Sequence, residues 1–89
     1  MNKVFLSGRM RKAPEVAYTP KGRKIITFPL WVAEGGFSVE VVSGDEALPG
    51  GVDHAAMGEV LVSGELIKTS RRSSDVLRVK ASKILWMEE

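Results

Sequence analysis

NKVFLSGRMRKAPEVAYTPKGRKIITFPLWV, residues 2–32, holds two apolar–polar alternations separated by a connection rich in proline, glycine and cations. Alternation at period two puts successive side chains on opposite sides of a strand. In the first half, Val4 and Leu6 share one side, and Lys3, Ser7 and Arg9 share the other. In the second half, Ile26, Phe28, Leu30 and Val32 share the side expected to be buried, which leaves Thr27 and Trp31 outward. Arg9, Arg11, Lys12, Lys21, Arg23 and Lys24 crowd the space between, with Glu15 the one acid among them. Two strands with a basic, structured connection make a grip for an anionic partner.

The alternation predicts a first strand over about residues 3–10, with Gly8 marking a bulge or bend, and a second over about 24–32. Thr19-Pro20-Lys21-Gly22 has the composition of a tight turn. Pro29 removes a ladder donor, so a bulge or an unpaired edge is expected there. Glu34-Gly35-Gly36 reads as a short hairpin connection into a third strand over about 37–42. The segment 43–58 contains Pro49, Gly50 and Gly51 and leaves room for at most one helical turn, 53–57, with Asp53 as its cap and Gly58 as its stop. A fourth strand is expected over about 59–68, a polar loop over 69–75 and a fifth strand over about 76–85.

Five short strands with at most a helical turn between the third and fourth predict an all-β protein, a five-stranded Greek-key barrel of the OB-fold type. Its 89 residues suit one domain, 1–89. A core of this size favours a closed sheet or an oligomer. Closure also removes the free edges that invite aggregation. The chain has no cysteine, so no disulfide framework or thiolate metal site is expected. The N-terminus lacks the apolar core of a signal peptide, and no apolar run reaches membrane-spanning length. The expected setting is cytoplasmic, in association with the nucleoid.

Net charge is only +2, but its distribution is uneven. Residues 1–24 hold seven Lys/Arg and one acid. Residues 25–67 hold seven acids and no Lys or Arg. Residues 68–83 hold six Lys/Arg and only Asp75. An OB-fold binds oligonucleotides across its second and third strands, between the loops joining strands one to two and four to five. The two basic blocks fall on those loops and their shoulders, and the acidic block mostly falls on connections elsewhere.

Single strands are held by cations along the phosphates and aromatic rings under the bases. The candidate cations are Arg9, Arg11, Lys12, Arg23, Lys24, Arg71, Arg72, Arg78 and Lys80, and the candidate rings are Trp31 and Phe37. Trp31 would serve a subunit interface equally well, and Phe37 is divided between core and platform. Trp86 suits packing at a barrel end, and Tyr18 suits a loop anchor. His54 and the acids Asp45, Glu46 and Asp53 have no nucleophile or metal partner near them in sequence, so no catalytic site and no cofactor are expected. No Walker or GxGxxG pattern is present.

Asn2-Lys3-Val4, Gly8-Arg9, Pro14-Glu15-Val16, Tyr18-Thr19-Pro20 and Gly22 resemble the opening of bacterial single-stranded-DNA-binding proteins. Leu6-Ser7-Gly8 and Arg11-Lys12-Ala13-Pro14 are similar to the related small primosomal replication protein N. The resemblance is specific over roughly the first third of the chain. It implies a stacking position at Phe37, and basic or aromatic positions at or near Val39, Val41 and Ser43. It also implies a homo-oligomer, dimeric or tetrameric; Phe5, outward on the first strand, is compatible with a strand-to-strand dimer. The family's acidic-tipped tail has no counterpart at Trp86-Met87-Glu88-Glu89, which implies that partner recruitment is absent or uses another surface; that shape is nearer the primosomal relative.

The function expected is non-catalytic binding of single-stranded DNA in replication, recombination or repair. The competing readings are a primosome-like module that docks replication proteins and an RNA-binding OB domain, whose phosphate and stacking contacts are indistinguishable in sequence. The acidic middle block and Glu40 on the third strand favour the module.

Overall fold

The computed structural model describes residues 1–44, 58–71 and 74–87, with backbone alone at 70, 71, 74 and 75. The expected helical turn at 53–57, together with Asp45, Glu46, Asp53 and His54, lies outside the described residues. Arg72 lies outside them as well.

The strands are β1 (Val4–Met10), β2 (Glu15–Tyr18), β3 (Lys24–Val32), β4 (Phe37–Gly44), β5 (Gly58–Arg71) and β6 (Ser74–Trp86). They join in the order β1-β5-β6-β4-β3, and β3 returns to β1 to close a ring. All pairings are antiparallel except β4 with β6, which is parallel. This is the five-stranded Greek-key barrel of the OB-fold, with β2 as a sixth strand on the edge of β3.

Period-two burial fills the barrel. Ile26, Phe28, Leu30 and Val32 of β3 meet Met10, Val41, Val60, Val62, Val79, Ala81 and Ile84 in one core. Trp86 packs against the edge of that core, opposite Val60, where Met87 N–H donates to the Glu59 carbonyl at 3.0 Å. The second indole thus closes one end of the barrel.

Several local expectations are corrected. Gly8 is not a bulge, since β1 pairs with β5 without a break from Val4 to Met10. The glycine is needed for close approach: a Cβ there would lie 2.5 Å from the Trp31 carbonyl oxygen, where β3 crosses to close the ring. The bulge lies elsewhere, between the pairs Ser63–Lys83 and Gly64–Ala81, and leaves Ser82 as the extra residue in β6. Its hydroxyl donates to the Ser63 carbonyl at 3.1 Å.

At Pro29, of the two outcomes expected, the unpaired edge is the one that forms. The proline faces Glu40 in a continuous β3–β4 register. On its other flank, β3 pairs with β2 up to Thr27 and with β1 only from Leu30. Proline falls in the gap between partners, the unpaired edge its missing donor requires.

The turn at Thr19–Gly22 forms as expected, with Gly22 N–H donating to the Thr19 carbonyl at 2.8 Å and Arg23 N–H to the Thr19 hydroxyl at 3.1 Å. The Asn2 side chain extends β1 by one false residue. Its amide donates to the Leu66 carbonyl at 2.8 Å and accepts from Leu66 N–H at 3.0 Å.

Candidate nucleic-acid interface

The outward face of β3 and β4 is set by directly opposed pairs: Trp31 with Ser38, Pro29 with Glu40 and Thr27 with Val42. At one end, Arg9 of β1 faces Trp31 across the seam of the ring. The Arg11 guanidinium lies over the Trp31 ring, 4.6 Å from its centroid. Arg9, Arg11 and Trp31 line one depression, together with Glu34 and Glu59. Arg9 is also paired with Glu59 of β5, Nη2 to Oε1 at 3.5 Å. Both partners are well exposed, so solvent screens this pair.

At mid-face, Lys12 and Glu15 rise beside Thr27, Pro29 and Glu40. Arg78 of β6 reaches Glu40 there, Nη1 to Oε1 at 3.5 Å. At the far end, Arg23 and Lys24 share a cavity of about 660 Å³ with Lys80, floored by Ile25, Val42 and Ile67. Cations from both ends of the sequence thus border one face. The parallel pairing of Val42 with Lys80 draws the second block to it. Of the remaining candidates, Arg71 ends β5 with its side chain undescribed, and Arg72 is outside the described residues.

Two features run against expectation. Phe37 opposes Val32, a core residue, and therefore belongs to the other side of the ladder from Trp31. It stands at the rim, 46% exposed, with its ring against Gly35. Val39, Val41 and Ser43 share its parity and point inward; Val41 and Ser43 are buried. The outward positions of β4 are Ser38, Glu40 and Val42. The acidic block also enters the site: Glu34, Glu40 and Glu59 stand among the cations. The sequence signal for Glu40 was its strand position, but its ion pair spans strands distant in the chain.

The wild-type single-stranded DNA-binding protein from Thermus aquaticus superposes on the whole of this chain with a TM-score of 0.84 and 26% identity. The barrel has the same OB-fold as that single-stranded DNA-binding protein. The chain spans 41% of the length of that Thermus protein. The dimeric N-terminal domain of PriB from Thermoanaerobacter tencongensis covers 99% of this chain, and 98% of its own length is matched, with a TM-score of 0.78 and 23% identity. The SSB domain of a Synechococcus protein covers 96% of this chain and 94% of its own, with a TM-score of 0.79 and 16% identity. These last two carry the fold alone. No family model matches the sequence, and no curated protein matches it. The resemblance read from the first third of the chain therefore extends over its whole length in three dimensions.

No helix among the described residues is long and apolar enough to cross a membrane. Nor do the described residues contain a cluster of three or more His, Asp or Glu side chains placed to hold a metal ion.

Proposed function

We propose that this chain binds single-stranded DNA without catalysis, in replication, recombination or repair. One observation carries the reading: an indole on the outward face of β3, bracketed by Arg9 and Arg11. A base takes its place on the exposed part of the Trp31 ring or on the Arg11 guanidinium plane, since both are flat and indifferent to base identity. The strand then runs along Lys12, Arg78, Lys80, Arg23 and Lys24, with its phosphates toward the cations. Phe37, on the opposite side of the ladder, serves a base only where the strand turns over the rim. The Thermus neighbour's name supports DNA as the ligand.

Titration of a labelled dT oligomer at two salt concentrations tests the reading. Log affinity falls against log salt with a slope of about 0.7 per phosphate neutralised. Absence of binding at low salt overturns the proposal, and equal affinity for duplex DNA removes its specificity for single strands.

We also propose that the chain self-associates through the outward face of β1, β5 and β6. Phe5 is 67% exposed there. The face continues through the pair Leu61–Leu85, of which Leu85 is exposed. The PriB domain described as dimeric supports this. Sedimentation equilibrium should give a dimer or larger species, and Phe5→Asp should shift it to monomer. A clean monomer of the unaltered chain at high concentration overturns it.

A further inference from the structure

Glu40 stands in the middle of the outward β3–β4 face, opposite Pro29. Its carboxylate is ion-paired with Arg78, yet the two are unequally placed. The Arg78 side chain is 12% exposed and that of Glu40 is 41% exposed. Arg78 Nε is buried without a hydrogen-bond partner. A guanidinium offers five donors in a planar fork suited to two oxygens at once. Here the fork has one carboxylate oxygen at 3.5 Å, longer than the roughly 2.7–2.9 Å of a charge-assisted hydrogen bond. The cation is fixed in the wall of the barrel and under-used. The anion is the exposed, movable partner. Lys12 lines the same depression as Glu40, so a phosphate arriving at Arg78 would find a second cation beside it.

We infer that Glu40 is an internal stand-in for a backbone phosphate. In the free protein its carboxylate occupies the anion position on Arg78. A phosphodiester of bound single-stranded DNA takes that position, engages the fork with two oxygens and turns Glu40 out to solvent. This inference rests on the single-stranded-DNA reading above and adds its control point: the face is built to bind with a carboxylate already in competition. A displaced Glu40 takes up a counterion as the phosphate gives one up, so this contact is nearly silent in the salt dependence.

The test compares labelled dT oligomer binding by the full chain and its variants across a range of salt. Glu40→Gln should tighten binding about fivefold at low salt, the strength of one close ion pair in water that binding no longer has to break. It should also steepen the log–log slope by about 0.7. In an Arg78→Met background the same change should gain nothing. Glu15→Gln removes a carboxylate from the same depression that has no ion pair to Arg78, so it should leave the slope unchanged. An equal gain from Glu40→Gln with and without Arg78 overturns the inference. If Arg78→Met does not fold, the comparison with Glu15→Gln decides, and equal slopes overturn it. An unaltered chain that binds no dT oligomer at low salt sinks the function and this inference together. A chain that binds normally, with Glu40→Gln unchanged in both affinity and slope, sinks the inference alone.

Discussion

Trp31→Ala is expected to weaken binding of a short dT oligomer by about 1–3 kcal/mol, roughly 5- to 150-fold, the worth of one base stack. The ring lies outward on β3, so its loss leaves the buried residues on either side, Leu30 and Val32, in place. It also removes the surface on which Arg11 rests, 4.6 Å from the ring centroid. Two contributions are therefore lost at once, one of stacking and one of cation placement. Trp31→Phe restores part of the stack and separates them. Anisotropy of a labelled oligomer measures the affinity, and Trp86 emission reports that the barrel is intact. Binding within twofold of the unaltered chain would remove Trp31 from the site and leave Phe37 and Tyr18 as the remaining rings.

The second large effect concerns stability. Phe28 is the largest of the fully buried side chains among the described residues, at the centre of β3. Phe28→Ala should cost about 3–5 kcal/mol, transfer and cavity terms combined. A domain of this length holds about 4–13 kcal/mol in all, so the variant should lose about a quarter or more of its stability. Urea unfolding checks this: the midpoint should fall sharply with little change in slope. Tyr18→Ala, on the exposed β2, should move the midpoint hardly at all. A Phe28→Ala midpoint as high as that of Tyr18→Ala would contradict the core described above.

The two effects illustrate what could be read from the chain. The core face of β3 is a local property, fixed by period two in Ile26, Phe28, Leu30 and Val32. The side on which Phe37 falls depends on counting the turn. A connection of three residues, 34–36, would set Phe37 opposite Ala33 and on the same side as Trp31. The connection has four, 33–36, with Gly36 N–H donating to the Val32 carbonyl at 2.8 Å. That one residue reverses every side chain of β4, including Val39, Val41 and Ser43. Strand β2 was invisible for a different reason. All four of its residues are exposed, so it has no buried side to alternate with, and its pairing with β3 defines it. The convergence of the basic blocks was legible once the fold was assumed. Glu40 was legible on its strand, but its pairing with Arg78, and that of Glu59 with Arg9, was not, because the partners come from strands far away in the chain.

Among the described residues, β3 meets β1 through two opposed pairs, Arg9–Trp31 and Met10–Leu30. Only the parallel join of β4 with β6 rests on as few pairs, and the indole proposed to carry a base stands on this one. A nucleotide touching both Arg9 and the indole would bridge the two sides of that join like a rivet. Breathing of the barrel and escape of the strand would then share a single motion, and a tighter grip would mean a quieter fold.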